Sequence, residues 1–356
     1  MDFLTRYNFE TKVEETANEI KKRTGISTFR FCLVLGTGSL GIHDLVEGHD
    51  TKRILYEELE NPIPLAGIEG HPGEIQVLPE VNGAVFFGRG HSFPLVTDDP
   101  NLTEEHRIHY AMYLGALAFH LTAERKKKSI ENYGALITTD AVGGLIHGKK
   151  KGNVLRPGDF GLVDDYEMMG VRGIGGYHIP FVDFRGLVNP KNVKMMLDAS
   201  RKVGVPLYKG TVYSWFAEPD FETSVDNIRL VMDGHPFVGM TGYEAKAWFS
   251  RMFSIGRGND SNNVHLCIVS DTSLPKPGAV MDYIEQLPDG HPNLLYARKL
   301  LNWSQVVASE QTTHHENDAR VRAALPNLAT VIHKYVADLF QISHGTYRSG
   351  DPLFRY

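Results

Sequence analysis

Polar side chains that can bind an anion follow several predicted strands of this 356-residue chain. Each stands where an apolar run gives way to a loop, and ligands of open α/β sheets bind beyond the carboxyl ends of the strands. Hydroxyl, guanidinium and imidazole groups, together with backbone amides, suit an oxyanion with several oxygens, such as phosphate. The candidates are Thr37, Arg89, His91, Ala141 to Gly143 and Thr241.

A second group of candidates lies in the stretch YSWFAEPDFET, residues 213–223. Asp220 is predicted to cap the helix that follows, which carries Phe221 and Val225 on one face. Glu222 then falls in the first turn, where the helix dipole favours an anion and a planar ligand stacked on Phe221 can reach the carboxylate. Dipole compensation alone also explains an acid at this place. The neighbouring anion-binding candidates favour a pocket for a flat ligand.

The elements that position these residues alternate between strands and helices. Continuously apolar strands are predicted at residues 31–35 and 84–87, and further strands at 135–139 and 264–270. Helices are predicted at 107–121, 189–202 and 243–253, and the helix capped by Asp220 is predicted to end at Gly234. This alternation of strands and helices, with no internal repeat or linker, predicts one α/β domain over residues 1–356. The domain is predicted to have a mixed, largely parallel central β-sheet flanked by helices. The proline-rich run at about 272–313 is predicted to be an inserted excursion over one edge.

Composition excludes several classes of protein. The net charge of −6 lacks the positive excess that is typical of nucleic-acid-binding proteins. No apolar run approaches the roughly 18 residues that a membrane span needs. Cys32 and Cys267 are the only cysteines, so no disulfide framework is expected, and without a signal-peptide pattern a cytoplasmic location is predicted. The histidines lack metal-ligand spacing, so no metal is expected.

The loop after the first strand also fits the G-x-G-x-x-G pattern of dinucleotide-binding proteins, through Gly36, Gly38 and Gly41. That fingerprint needs a helix directly after the glycines. Residues 42–51 are too short and too weakly periodic for one. A nicotinamide-dependent oxidoreductase is therefore disfavoured.

Seven motifs in fixed order make the chain similar to a known family. They are GTGSLG at Gly36, GRGHSF at Gly88, TTDAVGGL at Thr138, RPGDFGLVDD at Arg156, YSWFAEPDFET at Tyr213, VGMTGYE at Val238 and IVSD at Ile268. With these motifs the chain resembles the trimeric-type purine nucleoside phosphorylases. That family also holds the methylthioadenosine and methylthioinosine phosphorylases.

The resemblance implies a role for each matching position. Phosphate is expected against Thr37, Arg89, His91, Ala141 and Thr241. Ribose is expected against Tyr213, Met240 and a histidine, His315 or its neighbour His314, and the purine against Phe221, Glu222 and Asp271. The catalytic residues implied are His91, Glu222 and Asp271.

The same resemblance implies a reaction, a co-substrate and an assembly. The reaction is reversible phosphorolysis of a purine nucleoside to free base and (deoxy)ribose 1-phosphate, in purine salvage. Inorganic phosphate is the co-substrate, and no cofactor is implied. The implied assembly is a homotrimer in which a neighbouring subunit closes each site.

Some positions depart from the family pattern. Asp271 stands where 6-oxopurine enzymes have asparagine, and an ionised aspartate accepts from the 6-amino group of adenine. Glu222, in contrast, pairs as a carboxylate with the N1–H of a 6-oxopurine. Asp140 places an unexplained charge beside the predicted phosphate amides, while Phe93 and Glu218 replace a tyrosine and a glycine. The residues therefore leave open whether the substrate carries a 6-oxopurine or a 6-aminopurine.

Two alternative functions follow from these departures. A methylthioadenosine or methylthioinosine phosphorylase would share the reaction but take a 5′-methylthio substrate. A relative that binds a purine nucleoside without catalysis would account for the unusual Asp140 and Asp271.

Overall fold

The computed structural model describes residues 6–36, 42, 50–63, 73–87, 104–126, 129–132, 134–148, 152–169, 188–216, 221–240, 263–310 and 312–339. Seven α-helices lie in these ranges. They are α1 Arg6–Thr24, α2 Glu104–Thr122, α3 Pro190–Val203, α4 Ser224–Asp233, α5 Pro277–Gln286, α6 Leu294–Glu310 and α7 His314–Leu339. Within these ranges no helix is both long enough and apolar enough to cross a lipid bilayer.

The described strands include the buried apolar runs of the sequence. They are β1 Phe31–Leu35, β2 Lys52–Leu55, β3 Glu74–Leu78, β4 Gly83–Phe87, β5 Ala123–Lys126, β6 Ser129–Asn132, β7 Ala135–Gly144, β8 Ile146–His147, β9 Asn153–Val154, β10 Phe160–Met169, β11 Tyr208–Phe216, β12 Phe237–Gly239 and β13 Asn263–Thr272. The predicted strand at 31–35 is confirmed, because all five of its residues are buried.

Nine of these strands form one mixed sheet in the order β12-β11-β10-β13-β7-β1-β4-β3-β2. An additional antiparallel pairing of β12 with β7 bends one half of the sheet back on itself. The strands β7, β13, β10, β11 and β12 thereby close into a five-stranded barrel, while β1 to β4 continue from β7 as an open extension. The mixed α/β class and the mixed sheet are confirmed, and the barrel formed by one half of the sheet is a feature that the sequence prediction did not include.

The barrel closes because two strands continue past the polar residues that seemed to end them. The sequence prediction stopped β7 at Thr139 and β13 at Ser270, yet pairing between them extends to Gly144 and Thr272. A register shift lies between Val269 and Asp271. The candidates Ala141 and Asp271 therefore belong to strands, where backbone pairing fixes their positions.

Buried side chains form four clusters around this sheet. Two cover the faces of the open part: one joins it to α1 and α2, and the other joins it to α3 and α7. A third takes residues from all five barrel strands and fills the barrel, with Tyr213, Trp215 and Phe237 as its large aromatic members. The fourth packs α4, α5 and α6 against the outside of the barrel.

The segment predicted as an excursion is largely helical. Pro277 is tolerated at the first position of α5, where a helix needs no amide hydrogen. Val280 of α5 and Leu300 of α6 are fully buried in the fourth cluster. This segment therefore contributes to the core, whereas the single-domain organisation over 1–356 stays a prediction.

The predicted start of α4, with Asp220 as its cap, is wrong by three residues. Thr223 caps the helix, its side chain accepting from the Asp226 amide while Asp226 accepts from the Thr223 amide. Phe221 and Glu222 precede the helix, and Phe221 and Val225 are exposed. The predicted end at Gly234 is confirmed by its left-handed backbone, with φ of 89°.

Candidate functional site

The carboxylate of Asp271 lies at the exposed end of β13, opposite Gly143 of β7. Two hydroxyl groups hold it. Ser270 Oγ donates to Oδ1 at 2.9 Å, and Ser273 Oγ donates to Oδ2 at 2.6 Å. The carboxylate is thus fixed in orientation while it still faces solvent.

Glu222 is partly buried and sits directly before the cap of α4. The side chains of Asn227 and Ser273 lie near its carboxyl group, and hydrogen bonding from them acts to lower its pKa. Burial raises the pKa of Glu222 above its ordinary value, and the negative charge of Asp271 raises it further. The structure thus brings together the two acids that the sequence assigned to the purine edge.

Phe221 lies beside Glu222 with 77% of its surface exposed. An aromatic face open to solvent is available for stacking. The sequence prediction that this ring supports a flat ligand stays a prediction, now with an accessible surface.

Tyr213 has no exposed surface and points into the barrel cluster. Its hydroxyl donates to Asp140 Oδ2 at 2.9 Å, and Asp140 is itself buried. This contact accounts for the charge of Asp140, because the carboxylate has a hydrogen-bond donor inside the barrel. The predicted contact of Tyr213 with ribose stays a prediction, and its hydroxyl is engaged elsewhere.

Other buried polar groups line the same barrel. Tyr166 Oη lies 2.9 Å from His265 Nδ1, and the Tyr213 and His265 rings are 5.2 Å apart. Because buried polar groups are stable only when they are hydrogen-bonded, these contacts rigidify the barrel that carries Asp271.

Two further predicted residues lie within a strand or directly after one. Ala141 is partly buried on β7 opposite Ile268. Met240 follows β12, and its carbonyl oxygen accepts from Trp215 Nε1 at 3.0 Å. Their predicted roles, in binding phosphate and ribose, stay predictions.

The predicted sugar-contacting histidines begin the last helix. His314 and His315 lie in the first turn of α7, and both are exposed. His314 Nε2 is 3.7 Å from Asp318 Oδ2, one turn further along. Their role at the ribose 5′-hydroxyl stays a prediction.

Several predicted residues lie outside the described residues. They are Thr37, Arg89, His91 and Thr241, together with Phe93, Glu218 and the predicted helix at 243–253. Within the described ranges, no three His, Cys, Asp or Glu side chains lie together as metal ligands would.

A cluster that the sequence did not indicate fastens α4 to the barrel. Glu167 of β10 accepts from Arg229 of α4 at 3.1 Å and contacts His235 Nδ1 at 2.8 Å. Ser214 Oγ lies 3.1 Å from the same Nδ1. A hydrolytic triad contacts its base and its acid through opposite imidazole nitrogens. This arrangement therefore anchors the helix behind Glu222.

Asn227 and Ser273 are the site residues that sequence reasoning missed. One signal was present for each. Asn227 places an amide on the apolar side of α4, beside the buried Ile228, and Ser273 follows Asp271 by two residues. Neither pattern alone indicates which acid these side chains contact.

Comparison with solved structures places this architecture in the purine nucleoside phosphorylase fold. Three crystal structures of the enzyme from Schistosoma mansoni resemble it. The complex with a monocyclic inhibitor has a TM-score of 0.53 and 18% identity, covering 78% of this chain and 97% of that one. The complexes with acetate and with inosine each have a TM-score of 0.52 and 17% identity, covering 85% and 97%.

The comparisons of sequence give no match. Neither a protein-family model nor a curated protein matches the chain. The likeness to the solved structures, at 17–18% identity, concerns the fold.

Proposed function

We propose that the protein cleaves the N-glycosidic bond of a purine nucleoside with inorganic phosphate, giving the free base and a (deoxy)ribose 1-phosphate. The observation that carries this proposal is the convergence of Glu222 and Asp271 at one end of the barrel, in a purine nucleoside phosphorylase fold. Two acids with hydrogen-bonded side chains at this place suit the donor and acceptor edge of a purine.

In the proposed reaction a phosphate oxygen attacks C1′ as the C1′–N9 bond breaks, and the bonding electron pair leaves with the purine. The sugar becomes oxocarbenium-like, so phosphate beneath the ring stabilises the positive charge. A hydrogen-bond donor to the departing base lowers the barrier by ~3 kcal/mol when it is well placed. Thr37, Arg89, His91, Ala141 and Thr241 are proposed to hold phosphate.

The leaving base needs a group that stabilises its negative charge. We assign this role to the protonated member of the pair Glu222 and Asp271, because a carboxyl group can donate a hydrogen bond only while it keeps its proton. Burial and then the charge of Asp271 raise the pKa of Glu222, which favours the protonated form in which it can donate.

The test is a substrate panel. Inosine, guanosine, adenosine and methylthioadenosine are each incubated with the protein, with and without phosphate, and base and sugar phosphate are separated by chromatography. Phosphate-dependent release of base from at least one nucleoside is expected. Uridine serves as the negative control. No turnover of any purine nucleoside at high protein concentration would overturn the proposal.

Asp271 suits an adenine nucleoside, because an ionised aspartate accepts from a 6-amino group, and methylthioadenosine is the alternative substrate of this kind. Faster turnover of methylthioadenosine than of adenosine in the same panel would select it. A purely binding protein is less well supported, since Asp140 is engaged by Tyr213 inside the barrel.

The assembly and the location are also proposed. A homotrimer in the cytoplasm is in keeping with the sequence motifs. Light scattering that gives three times the 39.8 kDa chain mass would support the trimer, and a monomer mass would contradict it.

A further inference from the structure

The buried carboxyl group of Asp140, on β7, lies beside the end of the neighbouring strand β1. Gly36 follows β1, and its amide donates to the Thr139 carbonyl at 3.1 Å. A Cβ atom built on Gly36 would lie 3.5 Å from Asp140 Oδ1. In the sequence, Gly36 directly precedes Thr37. Asp140 directly precedes Ala141, so its carboxyl group adjoins two chain positions that lead into predicted phosphate ligands.

A third chain segment reaches Asp140 through Tyr213. Tyr213 Oη donates to Asp140 Oδ2 at 2.9 Å. A Cβ atom at Gly239 of β12 would collide with this hydroxyl, so β12 can pass it only because Gly239 has no side chain. Gly239 stands two residues before Thr241, another predicted phosphate ligand. Asp140 and Tyr213 thus form a pair that adjoins all three segments.

The hydrogen bond from Tyr213 leaves the charge of Asp140 in place, because a phenol hydroxyl donates as a neutral group at neutral pH. An ionised carboxylate has about four lone-pair sites, so one donor leaves room for others. Asp140 is only 1% exposed, and a buried charge is stable only when hydrogen bonds compensate for the water that it loses. A ligand that offers a proton to this carboxylate is therefore favoured.

A buried carboxylate distinguishes between anions of the same shape. Phosphate keeps at least one proton at neutral pH, so one of its oxygens can donate a hydrogen bond. Sulfate is also tetrahedral and has four oxygens, but it is fully deprotonated at this pH and can only accept. Sites built to hydrogen-bond a substrate hydroxyl reject analogues that lack it by about 10⁴–10⁵. Beside Asp140, phosphate gains a charge-assisted hydrogen bond, whereas sulfate meets a second negative charge.

Other titratable side chains of the barrel interior contact one another. Cys267 of β13 stands opposite Asp140 in the sheet. His265 Nε2 lies 3.8 Å from Cys267 Sγ, and His265 Nδ1 lies 2.9 Å from Tyr166 Oη. Both imidazole nitrogens therefore have neighbours inside the barrel. Of these described groups, Asp140 is the one that is placed beside Gly36, and it is the candidate acceptor for an anion there.

We propose that Asp140, held as an ionised acceptor by Tyr213, restricts the anion site to protonated tetrahedral oxyanions, so that phosphate binds and sulfate is rejected. The inference rests on the proposed function for the position of the anion. The proton-bearing oxygen of phosphate donates to Asp140, and its ionised oxygens remain available to the other phosphate ligands and to C1′. Asp140 is thus a specificity-determining residue for the co-substrate.

The experiment is calorimetry at neutral pH and constant ionic strength, with sodium phosphate and sodium sulfate titrated separately into the protein. Phosphate is expected to bind at least about a hundredfold more tightly than sulfate, because a charged hydrogen bond is gained and a repulsion is avoided. Arsenate and selenate form a second pair that differs in the same way, since arsenate keeps a proton and selenate does not. Arsenate is expected to follow phosphate, and selenate to follow sulfate.

The variant Asp140→Asn separates this role from a structural one. It keeps the size of the side chain but replaces the charge with an amide that can donate. The ratio of phosphate affinity to sulfate affinity is expected to fall at least about tenfold, chiefly because sulfate binds more tightly. A structural defect at this position would not strengthen sulfate binding.

Two further variants serve as comparisons. Tyr213→Phe removes the donor but keeps the carboxylate, so it is expected to retain the rejection of sulfate. Asp282→Asn makes the same chemical change as Asp140→Asn at an exposed position of α5 and should leave the affinity ratio unchanged.

Comparable binding of phosphate and sulfate by the wild-type protein, or binding of neither anion, would overturn the inference, and this comparison does not depend on the folding of a variant. An unchanged ratio in folded Asp140→Asn would also overturn it. Failure of the proposed reaction gives a different result. Phosphate selectivity without phosphorolysis of any purine nucleoside would leave the role of Asp140 standing and overturn the reaction. Phosphorolysis by a protein that binds sulfate as tightly as phosphate would do the opposite.

Discussion

At the scale of a single residue, the proposed function gives Asp271 the task of reading the purine edge, because an ionised carboxylate can only accept hydrogen bonds. In Asp271→Asn the side-chain amide can donate to O6. We expect the ratio of kcat/KM for adenosine to kcat/KM for inosine to fall by at least about tenfold, the worth of one polar contact. Steady-state kinetics with both nucleosides measure it.

The control for this substitution is Asp282→Asn, the same chemical change at an exposed position of α5. It is expected to leave the ratio unchanged. An unaltered ratio in Asp271→Asn would remove this residue from base selection.

Tyr213 offers a second test at the residue scale, because its hydroxyl serves the buried Asp140. Removing one partner of a buried hydrogen bond costs about 1–3 kcal/mol. Tyr213→Phe is therefore expected to lower the free energy of unfolding by that amount in denaturant titrations.

The partly exposed Tyr208, at the start of the same strand, provides the comparison. Tyr208→Phe should cost less than about 0.5 kcal/mol. If Tyr213→Phe were equally mild and affected only nucleoside binding, the hydroxyl would belong to the ribose site.

At the scale of elements, the link between α4 and β10 depends on pH. Burial alone raises the pKa of Glu167, but hydrogen bonds from Arg229 and the charge of His235 outweigh it and lower the pKa below its ordinary 4.5. A lowered carboxyl pKa stabilises the folded state above pH 4.5, and this stabilisation is lost as pH falls through the folded-state pKa.

We therefore expect Glu167→Gln to lower the free energy of unfolding at neutral pH by about 1 kcal/mol, since the cluster is partly exposed. The difference from wild type should shrink as pH falls below 4.5. Denaturant titrations across this range measure it. Asp233→Asn removes the exposed partner of the same arginine and should have little effect, whereas a difference that grew in acid would refute the anchor.

The sequence predicted strands and helix ends correctly where a single local pattern, such as an apolar run or a glycine at a helix end, determines the structure. The apolar run of β1 is covered on both faces and the prediction held, as did the end of α4 at Gly234. The start of α4 was wrong because Asp220 matched a capping residue, although Thr223 with Asp226 forms the complete capping box.

The candidate site was predictable in part for the same reason. Glu222 and Asp271 came from motifs, but the amide of Ser273 reaches the Gly144 carbonyl only because β13 pairs with β7, and these strands lie over a hundred residues apart. Barrel closure by β12 depends on backbone hydrogen bonds that no side-chain pattern specifies. No short segment of the sequence determines which distant strands pair in this way.

At the scale of the whole molecule, the segment after β13 is part of the core. Leu300 of α6 has no exposed surface, whereas Leu295 of the same helix is 69% exposed. Leu300→Ala is expected to cost about 2–5 kcal/mol in unfolding experiments, because it leaves a cavity.

Leu295→Ala, the same substitution on the outer face, should change stability by less than about 0.5 kcal/mol. Equal, small effects of the two substitutions on stability would show that the segment after β13 lies on the surface and is not part of the core.

The position of β13 also sets the order in which the chain can fold during synthesis. It is the last strand described, yet it pairs with β7 on one side and β10 on the other, near the middle of the nine-stranded sheet. A nascent chain that ends before residue 263 can pair β1 with β4 and β7, but both strands that flank β13 still have an open edge. Such edges bind other chains readily. During synthesis on the ribosome, the central position of the sheet, which β13 occupies, is therefore filled after the strands on both sides of it.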